Sequence, residues 1–132
     1  MTERNLHMGL VLIVEDDEAV REIFVTWIRS VGYEVIEATN GVHALEVLHH
    51  NQVGMIVTDL RMPLMDGVEL VKRLKERDEW KAIPVVAVTA TPSTGEMYRY
   101  FSGVLIKPCS FCDLITVVQG YMTRDPDLRR IL

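Results

Sequence analysis

Residues 9–18 read Gly9-Leu10-Val11-Leu12-Ile13-Val14-Glu15-Asp16-Asp17-Glu18, an apolar run rich in branched side chains that stops at four consecutive acids. A run this short, with no polar alternation, predicts a strand buried on both faces, as in a parallel sheet covered by helices. From Ala19 the period changes. Ala19, Val20, Ile23, Phe24, Trp27, Ile28 and Val31 share one helical face and Gly32 follows them, which predicts an amphipathic helix with a glycine stop.

The alternation continues down the chain. Glu34–Ala38 predicts a second strand, and Ala44, Leu45 and Leu48 give residues 42–48 helical spacing before the polar His49-His50-Asn51-Gln52. Residues 55–58 predict a third strand ending at Asp59, then Pro63 and Gly67 mark a loop, and Leu70, Val71 and Leu74 define a helix face reaching about Arg77. Residues 84–89 predict a fourth strand with Pro84 in the first position, where a missing N–H is tolerated. Residues 104–106 predict a short fifth. Ser110 with Asp113 resembles a capping box opening a last helix, whose face is Phe111, Leu114, Ile115, Val118 and Tyr121. Five apolar strands alternating with helices imply an α/β open parallel sheet covered on both sides. Residues 1–8 are read as a leader, 9–122 as one domain, and 123–132 as a tail.

Composition narrows the function classes. The 132 residues are 48% apolar and 25% charged, with 14 Lys and Arg against 19 Asp and Glu, which describes one soluble globular domain. A chain of this size buries roughly 65–70% of its unfolded surface, so it needs no disulfide or structural metal. Its acidic balance, with no Lys/Arg block, offers nothing to phosphate backbones or anionic lipid. Direct nucleic-acid or membrane binding is not expected. The longest apolar run, Met8 to Val14, is far short of the roughly 18 residues of a membrane span, and no signal-peptide pattern opens the chain. A cytoplasmic location is expected.

Cys109 and Cys112 have redox-motif spacing, and Cys112 lies near a helix start, where thiol acidity increases. They follow the fifth strand, whereas a thioredoxin-like motif would follow an early one, so a redox role is not expected. His43, His49 and His50 have no partner at metal-ligand spacing and read as a solvated helix end. Met55, Met62 and Met65 read as packing.

In open parallel sheets the reactive groups gather beyond the C-terminal strand ends. That rule brings Glu15 and Asp16 after the first strand, Asp59 after the third, Thr89 at the end of the fourth and Lys107 after the fifth to one edge. Packed carboxylates raise one another's pKa or recruit a cation. An all-oxygen acidic set suits a hard ion such as Mg²⁺. A carboxylate beside such an ion and a lysine can attack phosphorus, both cations neutralising developing charge. The competing reading is that Asp16 and Asp17 only cap the first helix.

The segments Val14-Glu15-Asp16-Asp17-Glu18 with Arg21, Thr58-Asp59-Leu60-Arg61-Met62-Pro63-Leu64-Met65-Asp66-Gly67, Thr89-Ala90 and Lys107-Pro108 together resemble the receiver domain of two-component response regulators. The resemblance runs from residue 9 to about 122. It implies the flavodoxin-like strand order 2-1-3-4-5, the order of the family's chemotaxis regulator. It also implies that Asp59 is the phosphoacceptor, taking phosphoryl from a histidine kinase or phosphotransfer protein. Asp16 would be the direct Mg²⁺ ligand and Glu15 its partner through water, with Arg21 fixing which acids form the pair. Asp17 would be the first-turn residue. The backbone carbonyl of Arg61 would be the third protein ligand. Thr89 would bond the phosphoryl group through its hydroxyl, with Ala90 leaving room beside it, and Lys107 would form an ion pair with it. The Lys107–Pro108 bond would be cis. The Arg61 side chain is expected to shape access of attacking water.

Two departures bear on output. Where the family commonly has an aromatic residue three positions before the lysine, this chain has Val104. The interval from Thr89 to Lys107 is short and contains Pro92, Ser93, Thr94 and Gly95, so helix four should be short or distorted, with Tyr98, Tyr100 and Phe101 as candidates for the moving aromatic. The resemblance implies a signalling domain rather than a dedicated enzyme. It would catalyse its own Mg²⁺-dependent phosphorylation and slow dephosphorylation, and switch a surface read by a downstream protein. No output domain is recognised after residue 122, so the signal would pass by protein contact or through a domain outside this sequence. A flavodoxin-like flavin binder would instead need a phosphate loop where this chain has four acids. A receiver-fold interaction domain acting without phosphorylation would not need the acids, Thr89 and Lys107.

Overall fold

A computed structural model describes residues 9–90 and 95–122. Strands β1 (Leu10–Val14), β2 (Glu34–Ala38), β3 (Met55–Asp59), β4 (Val85–Thr89) and β5 (Gly103–Ile106) alternate with helices α1 (Glu18–Ser30), α2 (Gly41–His50), α3 (Gly67–Lys75), α4 (Gly95–Tyr98) and α5 (Phe111–Met122). The strands form one parallel sheet of order β2-β1-β3-β4-β5, as the family resemblance implied. The leader, the tail and residues 91–94 lie outside the described residues.

Strand parity explains the two layers. Val11, Leu12, Ile13 and Val14 are all fully buried, and successive side chains point to opposite faces. Val11 and Ile13, with Val57, Val86 and Val88, pack against Phe24 and Ile28 of α1 and Leu114 and Val118 of α5. Leu12 and Val14, with Ile56 and Val85, pack against Ala44 and Leu48 of α2 and Leu70, Val71 and Leu74 of α3. No strand face is left for water along β1, so a continuous apolar run is what this position requires.

Caps set the helix ends. The Asp17 carboxylate accepts the Val20 N–H at 3.1 Å, Asn40 that of His43 at 2.8 Å, and Asp66 that of Glu69 at 2.9 Å. Ser110 Oγ accepts the Asp113 N–H at 3.0 Å, so Ser110 precedes the last helix rather than beginning it. Gly32, with φ of 104°, supplies the left-handed residue that turns the chain out of α1.

Several boundaries differ from the sequence reading. Helix α2 continues through His49 and His50, because outward polar residues do not end a helix. His49 packs edge-on against Trp80, ring centroids 4.9 Å apart. Helix α3 stops at Lys75, and the chain turns onward through Arg77. Strand β4 begins at Val85, though the Pro84 carbonyl already accepts the Ile56 N–H at 2.9 Å. Met55 and Met65 are buried, and Met62 is packed against the α2/α3 core.

Candidate functional site

The parallel strands deliver their C-terminal ends to one edge of the sheet. Thr58 of β3 pairs with Val14 of β1, and Asp59 pairs with Val88 of β4, so Glu15, Asp59 and Thr89 follow one another across three adjacent strands. Thr89 pairs in turn with Ile106, the residue before Lys107. Glu15, Asp16 and Asp59 each contribute a carboxylate oxygen to a group lying within 4.8 Å of one another. The Lys107 ammonium reaches Glu15 Oε1 at 3.0 Å and Asp59 Oδ2 at 3.3 Å.

Burial separates the roles of the acids. Glu15 is 2% exposed and is held on both carboxylate oxygens, by Lys107 at 3.0 Å and by the Asp17 N–H at 3.0 Å. Burial pushes its carboxyl above the ordinary range, with the charge of Asp59 adding to the rise and the Asp17 amide and Lys107 pulling the other way. Asp16 is exposed and open to solvent. Asp17 leaves the cluster to stand at the N-cap of α1, before its first turn. The capping reading therefore holds for Asp17, while Asp16 joins the acidic group.

Asp59 is aimed by its neighbours. Its Oδ1 accepts the Leu60 N–H at 2.8 Å, leaving Oδ2 toward Lys107. Behind it, Gly67 donates its N–H to the Leu60 carbonyl at 2.9 Å. A Cβ at Gly67 would fall inside contact distance of the Asp59 carbonyl oxygen, so the glycine permits the approach of α3 to the site strand. For Lys107, burial alone would lower the pKa. The hydrogen bond to Glu15 and the charge of Asp59 outweigh it and hold the ammonium above its ordinary value.

The Lys107–Pro108 bond is cis, and the Lys107 N–H donates to the Thr89 carbonyl at 2.8 Å. Thr89 is 2% exposed. Arg61 is exposed, two residues beyond Asp59. Val104 pairs with Ala87. Tyr100 and Phe101 pack against the α2/α3 core, and the Lys72 ammonium lies 5.3 Å from the Tyr100 ring centroid. Helix α4 spans four described residues. Cys109 is half-buried and burial raises its thiol, while Cys112 is exposed. His43 Nδ1 accepts the Thr39 N–H at 3.2 Å.

Three contributors escaped the sequence reading. The Leu60 amide orients Asp59, a backbone role that carries no sequence signal. Gly67 marked a loop, and its steric role appears only when α3 meets β3. Glu37 forms an ion pair with Arg21 at 3.0 Å. Strand parity carried a signal for it, since Glu37 shares the face of Val35, which is the α1 side of the sheet.

The response regulator receiver domain family matches residues 11–119. The polar-differentiation response regulator DivK of Brucella anthropi is 35% identical over 116 residues, covering 85% of this chain and 94% of that protein. The Vibrio cholerae chemotaxis protein CheY4 superposes with a TM-score of 0.82 at 28% identity, covering 86% of this chain and 98% of that one. The receiver domain of a Pseudomonas aeruginosa sensor histidine kinase, whose active-site cleft coordinates a magnesium ion, shares the fold with a TM-score of 0.79 at 23% identity, covering 86% and 97%.

Proposed function

The chain belongs to the response regulator receiver domain family, and from that premise we propose that Asp59 accepts a phosphoryl group from a phosphohistidine and that the charge change is read by a protein partner. The observation that carries this reading is the bridging Lys107 ammonium, within 3.3 Å of both Asp59 and Glu15. A carboxylate so placed is held in position, while a cation stands beside it ready for the negative charge that phosphorus brings.

Asp59 attacks phosphorus through a carboxylate oxygen. The new bond is O–P, the P–N bond breaks, and the imidazole departs with the electron pair. Lys107 then pairs with the phosphoryl oxygens, and the Thr89 hydroxyl donates to one of them. Phosphorylation replaces one negative charge by about two. That increment draws the groups at the ends of β4 and β5 toward the site and biases two packings of the surface beyond them.

The residues present fit a hard divalent ion. Three carboxylates converge within 4.8 Å, among the described residues the only such group of His, Cys, Asp or Glu, and oxygen donors of this kind favour Mg²⁺. Asp16 and Asp59 would hold it directly, Glu15 through water, with the backbone carbonyl of Arg61 completing the protein ligands. When bound, the ion supplies neutralisation of the phosphoryl oxygens. The same edge would serve slow hydrolysis of the aspartyl phosphate, making the domain the catalyst of its own phosphorylation and dephosphorylation.

The partners are a histidine kinase or phosphotransfer protein upstream and a downstream protein. No described helix is long and apolar enough to cross a membrane, and the cytoplasm, where such kinases present phosphohistidine, is the compartment we assign. The test is incubation with acetyl phosphate and Mg²⁺. Wild type should gain one phosphoryl group and chelator should prevent it. No gain under either condition would favour an interaction domain that works without phosphorylation.

A further inference from the structure

Asp16 makes no side-chain hydrogen bond among the described residues, yet the reading above asks it to meet a cation at a fixed place. Its position is inherited from the peptides on either side. On one side Asp17 is tied into the start of α1. On the other, the Glu15 N–H donates to the Ala38 carbonyl at 3.0 Å, and the Glu15 carbonyl accepts from Arg21 Nη1 at 2.8 Å. That carbonyl belongs to the peptide joining Glu15 to Asp16, so its orientation sets where Asp16 leaves the chain.

The guanidinium is itself held. Arg21 Nε donates to Glu37 Oε1 at 3.0 Å, with the Arg21 side chain 14% exposed, and the Arg21 N–H donates to the Asp17 carbonyl at 2.9 Å. Glu37 is the strand neighbour of Ala38, the residue that holds the Glu15 N–H. The end of β2 therefore holds both peptides that flank the Glu15 Cα, the Val14–Glu15 peptide through its own backbone and the Glu15–Asp16 peptide through the Glu37–Arg21 pair. A planar fork with two separate partners is a task that arginine performs and lysine does not.

We propose that Arg21 is a positioning residue for the cation site, fixing the peptide that carries Asp16, and that Glu37 acts through Arg21. This rests on the reading that Asp16 and Asp59 hold a divalent ion. The sign of the effect separates positioning from electrostatics. A nearby positive charge repels a cation, so charge alone predicts that removing Arg21 tightens metal binding. Positioning predicts that it weakens.

The experiment is Mn²⁺ titration followed by electron paramagnetic resonance on folded wild type, Arg21→Met, Arg21→Lys, Glu37→Gln, the Arg21→Met/Glu37→Gln double variant and Asp16→Asn, with thermal unfolding checking that each is folded. Loss of a residue that orients a ligand costs about 10-fold or more in affinity, and Arg21→Met should lose about that. Arg21→Lys should fall between Arg21→Met and wild type, and the double variant should match Arg21→Met, as expected for two residues acting in series. Unchanged or tighter binding in folded Arg21→Met overturns the proposal. A double variant clearly weaker than Arg21→Met overturns the role of Glu37. Failure of the underlying reading has a different signature: wild type that does not bind Mn²⁺, or Asp16→Asn that binds it as tightly.

Discussion

The Lys107 ammonium lies 3.3 Å from Asp59 Oδ2, although the two residues stand 48 apart in the chain. Parallel pairing makes the contact. Strand β4 lies between β3 and β5, and the side chain of Lys107 spans it to reach the carboxylate. The same ammonium partners buried Glu15, so one cation stabilises two anions that would otherwise repel each other.

Replacing Lys107 by Met should therefore act twice. It leaves Glu15 buried without its cation, which we expect to cost about 2 kcal/mol, below the 3–5 typical of fully buried pairs because Lys107 retains some exposure. Urea denaturation measures this, and added Mg²⁺ should narrow the gap to wild type. Phosphorylation by acetyl phosphate should slow about 100-fold, the usual loss when a group stabilising transition-state charge is removed.

Stability should depend on pH through Glu15. Its folded pKa lies above the unfolded value, so in the window above about pH 4.3 the folded chain binds the proton more tightly than the unfolded chain. Unfolding free energy contributed by this group is greatest at low pH and falls as pH rises through the folded pKa. Urea curves in chelator at about pH 4.5 and about pH 6.5, the first near the ordinary glutamate value and the second well above it, should show Glu15→Gln lacking this decrease. An identical pH dependence in the two proteins would contradict it.

Gly67→Ala should destabilise, even though alanine favours helices. The added methyl meets the backbone carbonyl of Asp59, and backbone cannot swing away as a side chain can. Overpacking of this kind costs about 2 kcal/mol, against a helix-propensity gain of about 1 kcal/mol. A net loss of stability by urea denaturation, with slower phosphorylation of the displaced Asp59, is the expected pair of results.

Leu64→Asn should stabilise. Leu64 has φ of 70° and is 84% exposed, so it adopts the left-handed conformation with almost no packing in return. Relief of that strain is worth about 1 kcal/mol, and asparagine tolerates the conformation. Thermal unfolding should shift upward by about 3 °C.

Much of this architecture was legible because two signals coincide at the ends of β1, β3, β4 and β5. The run from Leu10 to Val14 is apolar on both faces, and the acids begin where it ends, so strand and site were readable from one stretch. The pieces at Asp59, Thr89 and Lys107 carry the same signature in weaker form. What escaped reading depends on contacts between distant elements. Glu37 looks like any polar strand residue until α1 lays Arg21 across it, and Leu64 gives no sign of its backbone angle. The polar tract at His49 and His50 concealed two more helical residues, because an exposed helix face and a loop have similar composition.

The most direct test is to transfer phosphoryl from a phosphorylated histidine kinase to the folded protein with Mg²⁺ present and to map the adduct by peptide mass spectrometry. The expected result is one hydroxylamine-sensitive acyl phosphate on Asp59, lost in Asp59→Asn. A stoichiometric adduct on another residue of wild type, or undiminished labelling of Asp59→Asn, would contradict it.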